Sequence, residues 1–284
     1  MFDGFDLAVA SLDDVSIRYR IGGSGPPLLL LHGFPQNHSM WHLVAPVLAR
    51  EFTVVSPDLR GYGQSSSPPT TSDHAPYSKR TMALDQVQLM SSLGFNRFAV
   101  AGHDRGARCA YRLALDHPHT VTKLAILDII PTYEAYARAD MRFALGYWHW
   151  FYLPQPVGMP ELTLSTDLET GWMARSCKSS TPEAFADYLA GWHRSEVIHG
   201  MCEDYRAGAT VDFALDALDH GTRLIECPTF ILWGAQSPVG QWYDPLEIWR
   251  DWATDVRGRS LDCGHFLPEE LPDDTARELA AFFR

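Results

Sequence analysis

Apolar residues along this chain fall into short continuous runs separated by stretches of helical periodicity. Leu28 to Leu31 is uninterrupted leucine, and Phe52 to Ser56, Phe98 to Ala101, Val121 to Leu127 and Thr229 to Trp233 are nearly as apolar. Runs of this length suit parallel strands covered on both faces. Val15 to Ile21 alternates instead, as a half-buried strand does, and the turn residues Gly22 to Pro27 close it. Between the runs, Ser39 is placed to cap a helix with Met40, Leu43, Val44, Val47 and Leu48 on one face, and Met82, Leu89 and Leu93 mark another that ends at Gly94. Later come a helix near Leu246 to Trp252, a short strand over Val256 to Leu261, and a closing amphipathic helix from Asp273 to Phe283. Strand alternating with helix in this way predicts an α/β architecture with a mainly parallel, doubly wound sheet.

The pattern changes around Pro131, and until about residue 220 it offers helical stretches dense in aromatic residues but no buried strand. We therefore expect a core of residues 1–133 and 221–284, interrupted by a helical cap over 134–220. The cap carries Trp148, Trp150, Trp172 and Trp192, more than a solvent-facing insertion needs unless it roofs an apolar pocket.

Composition narrows the partners. Lysine and arginine number 23 against 35 acidic residues, a net charge of −12. That balance argues against nucleic acid or an anionic membrane surface. Five cysteines, Cys109, Cys177, Cys202, Cys227 and Cys263, are odd in number and show no paired spacing, so reduced thiols are expected rather than disulfides or a zinc site. With no basic-then-apolar leader at Met1 to Asp6 and no apolar run of membrane-spanning length, the expected location is the cytoplasm.

The strand Phe98 to Ala101 runs into Gly102-His103-Asp104-Arg105-Gly106, and a helix follows directly. Glycines on both sides allow a cramped strand-to-helix turn that pushes its middle residue out at the sheet edge. Asp104 occupies the apex, where hydrolytic enzymes often carry serine. A carboxylate needs no base to deprotonate it and can attack carbon directly. Used only structurally, Asp104 would be a helix cap. Two other segments favour the chemical reading. His32-Gly33-Phe34-Pro35 follows a buried strand, where the backbone N–H of Phe34 could join that of Arg105 in an oxyanion hole. His265, beside Gly264 near the C-terminus, stands where this strand-loop order delivers a base. His117-Pro118-His119 reads as a helix end rather than a metal pair.

The loop after Trp233 carries no acid before Asp244, itself placed to cap the next helix. The histidine's acid is therefore assigned to Asp128, at the end of the strand after the elbow helix, with Asp244 as the alternative. Arg105 and Arg108 lie near one face of the helix's first turn, where the helix dipole disfavours cations. Guanidinium groups there suit a substrate carboxylate. Without them an anion would meet Asp104 with a repulsion of about 4 kcal/mol at roughly 4 Å and an effective dielectric near 20. Surface salt bridges are the plainer use of both.

These motifs, together with Leu127-Asp128-Ile129-Ile130-Pro131-Thr132-Tyr133, His149-Trp150, Met201-Cys202-Glu203-Asp204-Tyr205-Arg206-Ala207-Gly208 and Gly264-His265-Phe266-Leu267-Pro268-Glu269-Glu270, resemble the haloacetate dehalogenases, and most nearly the fluoroacetate dehalogenases, of the α/β-hydrolase superfamily. The resemblance implies that Asp104 attacks the halogen-bearing carbon and that Arg105 and Arg108 hold the substrate carboxylate. It also implies that His149, Trp150 and Tyr205 donate to the departing halide, and that His265, oriented by Asp128, activates water. A homodimer without cofactor or metal is implied as well. Trp172 matches a pocket tryptophan, although Met173 to Cys177 departs from the pattern. The alternatives are an epoxide hydrolase using Tyr205 and Tyr152, a haloalkane dehalogenase, and a non-catalytic ligand-binding protein of this fold. Neither a neutral epoxide nor a haloalkane calls for Arg105 and Arg108.

Overall fold

A computed structural model describes residues 1–284. Eight strands form one sheet in the order β1-β2-β4-β3-β5-β6-β7-β8: β1 (Phe5–Ser11), β2 (Ser16–Gly22), β3 (Pro27–Leu31), β4 (Thr53–Pro57), β5 (Phe98–His103), β6 (Val121–Leu127), β7 (Thr229–Gly234) and β8 (Val256–Leu261). β2 is antiparallel to β1 and β4, and the pairings from β4 across to β8 are parallel. This is the mainly parallel α/β sheet expected from the apolar runs, in the order that the resemblance implies. β1 escaped that reading because Leu7 and Val9 point outward and are exposed, so this edge strand lacks a clean apolar face.

Helices flank the sheet: α1 (Ala45–Leu48), α2 (Lys79–Ser92), α3 (Arg105–Asp116), α4 (Thr132–Ala137), α5 (Met141–Gly146), α6 (His149–Tyr152), α7 (Met159–Ser165), α8 (Trp172–Ser176), α9 (Pro182–Trp192), α10 (Ser195–Ala207), α11 (Phe213–Asp219), α12 (Pro238–Trp242), α13 (Pro245–Arg250), α14 (Leu267–Glu270) and α15 (Pro272–Phe283). The helix expected after Ser39 is broken in two. Asn37 accepts from the Ser39 N–H and caps a 3-10 turn over His38–Trp41, and α1 follows separately. Asp244 does cap α13, accepting from the Glu247 N–H at 3.1 Å. All five cysteines are unpaired, and no helix is long and apolar enough to cross a membrane.

Between β6 and β7 there are eight helices and no strand. They do not form a core of their own: Phe143, Trp150, Met173, Tyr188, Trp192 and Tyr205 belong to the same continuous apolar cluster as the sheet strands. α10 continues through a π-helical turn over Gly208–Asp212 into α11, an irregularity that often marks functional segments.

Every residue of β5 is buried, and the chain leaves it through a conformation in which Asp104 has φ 48° and ψ −117°. A side chain at positive φ is strained by about 1–3 kcal/mol. Two glycines make the turn fit. A Cβ on Gly102 would lie 2.5 Å from the Gly106 carbonyl oxygen, and one on Gly106 would lie 2.3 Å from that of His32. The second contact packs the start of α3 against the end of β3, which brings the His32-Gly33-Phe34 loop over Asp104. Gly106→Ala should therefore lose about 1–3 kcal/mol of stability through overpacking, measured by urea unfolding. An unchanged midpoint would show that this close approach relaxes freely.

Candidate active site

Five loops at the carboxyl ends of adjacent parallel strands converge, the place where open α/β sheets bind ligands. β3 supplies Phe34, β5 Asp104, β6 Asp128, β7 the Gly234 turn and β8 His265. Asp104 is 9% exposed. Its Oδ1 accepts from the Phe34 N–H at 2.9 Å, and its Oδ2 faces His265 Nε2 at 3.8 Å. Burial by itself would raise the Asp104 pKa, but the charges of His265, Arg105 and Arg108 outweigh it and hold the carboxyl below its ordinary value.

His265 Nδ1 meets Asp128 Oδ2 at 2.6 Å. The other Asp128 oxygen accepts from the Gly234 N–H at 2.9 Å and the Ser237 hydroxyl at 2.7 Å. The loop after β7, which lacks an acid, thus supplies the groups that fix the acid from β6. Asp128 also sits at φ 53°, a conformation Asp and Asn tolerate better than most residues. Burial lowers the His265 pKa, and the hydrogen bond and charge of Asp128, with the charge of Asp104, reverse this and leave it raised. His103 holds the His265 carbonyl at 2.8 Å through Nε2. Burial pushes the His103 pKa down to about 3, so it braces the loop as a neutral ring.

A cavity of about 440 Å³ opens here, lined by Asp104, Arg108, Asp128 and His265 on the sheet side and by His149, Trp150, Trp172 and Tyr205 on the helical side. Phe34 stands edge-on to Tyr205 at 5.3 Å and tilted against Trp172 at 5.6 Å, and His149 lies 5.0 Å from Trp172. Burial pushes the His149 pKa down to about 3, and burial with the Asp104 charge pushes the Tyr205 phenol well up. Both therefore stay neutral near neutral pH, Tyr205 as a hydroxyl donor.

The two arginines diverge. Arg108 lines the cavity, stacks over Trp150 at 4.4 Å, donates from Nη1 to the Ile130 carbonyl and Thr132 hydroxyl at 3.1 Å each, and leaves Nε buried without a partner. Arg105 is not among the lining residues. Its guanidinium lies over the Tyr205 ring at 4.3 Å, and Nε and Nη2 are taken by Asp204, at 3.1 Å to Oδ2 and 2.7 Å to the carbonyl. Only Nη1 is left, also buried and without a partner. Sequence spacing placed the arginines on one face but gave no sign that Asp204 of α10, 99 positions further along the chain, would hold Arg105.

The helix-cap role considered for Asp104 gains no support, because its side chain makes no cap hydrogen bond to α3. Ser237, His103 and Glu270 had no role assigned from sequence, although His103 and Glu270 stand in the quoted motifs. Glu270 accepts from the Gly264 and Phe266 N–H groups at 2.7 and 3.0 Å, on either side of His265. No group of three or more His, Cys, Asp or Glu side chains is arranged to hold a metal ion.

Residues 26–272 match the α/β-hydrolase fold family, and the chain belongs to it. It is 47% identical to a fluoroacetate dehalogenase of Burkholderia sp, covering 99% of this chain and 95% of that one. It is 34% identical to a soluble epoxide hydrolase of Corynebacterium sp. strain C12, covering 97% of each. Among solved structures, a Nostoc sp PCC 7120 protein provisionally described as an α/β hydrolase superposes with a TM-score of 0.97 at 48% identity, over 100% of this chain and 99% of that one.

Asp128→Asn keeps the backbone conformation but removes the charge. The His265 pKa should then fall, as followed by NMR titration of the ring. A His265 pKa unmoved by the substitution would mean that Asp128 does not set its basicity.

Proposed function

We propose that this hydrolase is a dehalogenase of short 2-haloacids such as fluoroacetate and chloroacetate, with the helices between β6 and β7 acting as a cap over the site. The observation that carries the reading is a buried elbow aspartate beside two guanidinium groups that each keep a buried, unpartnered nitrogen. Buried donors are normally satisfied, and an orphan implies a missing acceptor; a carboxylate supplies it. The Burkholderia relative's activity supports the same substrate class.

Asp104 Oδ2 attacks the halogen-bearing carbon from behind. The new carbon–oxygen bond forms as the carbon–halogen pair departs with the halide. His149, Trp150 and Tyr205 supply the ring N–H and hydroxyl donors that stabilise charge developing on the leaving atom. Oδ1 becomes the carbonyl oxygen of the aspartyl ester, already at 2.9 Å from the Phe34 N–H. That N–H then stabilises the tetrahedral oxyanion when water attacks the ester carbon. His265 takes the water proton and Asp128 stabilises the resulting imidazolium. On collapse the imidazolium returns its proton to the departing alkoxide oxygen, which releases the 2-hydroxyacid, and loss of the remaining carboxyl proton to solvent restores the Asp104 carboxylate.

An epoxide hydrolase is the second reading, favoured by the Corynebacterium relative. Of the tyrosines considered for it, Tyr205 lines the cavity, whereas the Tyr152 hydroxyl is paired with Thr163 at 2.6 Å outside the lining. A neutral epoxide also leaves the arginines without a use.

Halide release from chloroacetate should vanish in Asp104→Ala, and His265→Asn should accumulate one carboxymethyl ester per chain by intact mass. Full release by Asp104→Ala would rule the mechanism out. Acid pH should act like the second variant. The lowered Asp104 pKa keeps the nucleophile ionised, while the raised His265 pKa leaves the base protonated, so below that pKa alkylation continues and the ester builds up in rapid-quench mass spectra. Forming the ester removes the Asp104 charge, which lowers the His265 pKa, so the hydrolysis limb should lie on the acid side of the free-enzyme value. Ester levels independent of pH would contradict this assignment of base and nucleophile.

The exposed apolar side chains Met141, Leu145, Phe151, Val157, Met159 and Leu162, on and between α5 and α7, support a homodimer whose contact includes them. Native mass spectrometry should find two chains, and Leu145→Glu with Leu162→Glu should yield one. A wild-type monomer at micromolar concentration would exclude the dimer.

A further inference from the structure

Arg105 follows Asp104 in the chain, yet its guanidinium is turned onto Asp204 of α10. The Asp204 carboxylate receives Arg105 Nε at 3.1 Å and also pairs with Arg105 Nη2, and the Asp204 carbonyl accepts from Nη2 at 2.7 Å. Asp204 is completely buried and is itself held from two further directions. Lys79 Nζ of α2 pairs with Oδ1, and the Tyr62 hydroxyl donates to Oδ2 at 2.7 Å. Lys79 is fixed in turn, its backbone N–H donating to buried Asp212 at 2.8 Å. None of these residues carries a role in the chemistry above.

We propose that Asp204 is a positioning residue that keeps the Arg105 guanidinium off Asp104 and against Tyr205 with only Nη1 free, and that Lys79 makes this possible by sharing the Asp204 charge. The inference rests on the haloacid reading of the site. A carboxylate belonging to Arg105 alone would cancel its field at the cavity. One divided between two cations leaves part of the Arg105 charge for an anionic substrate, while its directional hydrogen bonds still fix the guanidinium plane. Asp204 and Tyr205 are consecutive on α10, so the same helix turn sets the buried anchor and the cavity wall that Arg105 stacks on.

The test separates charge positioning from mere folding by comparing chloroacetate with neutral chloroacetamide, which shares its leaving group and nearly its size. Asp204→Asn should lower kcat/KM for chloroacetate by about tenfold or more, the scale of losing hydrogen bonds to a charged group, with a much smaller change for the amide. Lys79→Met should lower the anion-to-amide ratio in the same direction, and Lys79→Arg should restore it. Tyr62→Phe removes one Asp204 hydrogen bond without removing a buried charge, so it gives a folded variant in which the ratio should fall a few-fold. Parallel losses for both substrates, or a ratio unmoved in Tyr62→Phe and Lys79→Met, would overturn the inference while leaving wild-type dehalogenation intact. A wild-type protein that releases halide from neither compound would instead overturn the haloacid reading, and the inference with it.

Discussion

A buried carboxylate that must stay ionised sets the terms for this site. Burial opposes the charge on Asp104, and a lone buried carboxylate would protonate. What keeps it charged is a field assembled from separate parts of the chain: the Phe34 N–H on one oxygen, His265 facing the other, and two guanidinium groups nearby. The same field suits an incoming anion. Neutralising any one source would affect both the Asp104 carboxylate and the anion it is proposed to attack.

That field can be built only because the sheet brings the loops into one place. Parallel pairing in the order β3, β5, β6, β7, β8 sets the carboxyl ends of five strands side by side, so residues far apart in sequence come within hydrogen-bond reach. Asp128 shows the economy of this arrangement. It reaches His265 from β6 while the β7 loop clamps its second oxygen through Gly234 and Ser237, so the imidazole is oriented by an acid that cannot itself turn away. The strained backbone at Asp104 is held by packing of the same kind, the contacts at Gly102 and Gly106 leaving no slack for the turn to relax.

The helices between β6 and β7 share the sheet's apolar core, so the cavity's wall and floor belong to one packed unit. α10 is where the two halves of the site are tied together. Asp204 reaches inward to Arg105 and Lys79, and its neighbour Tyr205 faces the cavity. Aromatic contacts among Phe34, His149, Trp172 and Tyr205 close the apolar side, where charge can be stabilised only by the few ring and hydroxyl donors present.

What the chain spelled out locally was legible from its residues alone. Continuous apolar runs mark buried parallel strands because both faces need covering, and Gly102 and Gly106 around Asp104 mark a tight turn because no side chain fits there. The fold and the tight turn at Asp104 followed from order and spacing, the proposal of Asp128 over Asp244 as the histidine's acid rested on the same order, and the resemblance to the dehalogenases rested on the same motifs. Edge strand β1 and the break after Ser39 did not follow, because their patterns are one-sided or dominated by caps. Nor did the fate of Arg105. Helical spacing put it beside Arg108, yet tertiary packing drew it onto Asp204, an anchor that it shares with Lys79, and left the cavity lining to Arg108. Spacing fixes which face of a helix a side chain leaves from, but a long charged side chain then goes to the strongest partner within reach. Which partner that is depends on the approach of α10 and α2, set by the packing of the whole core.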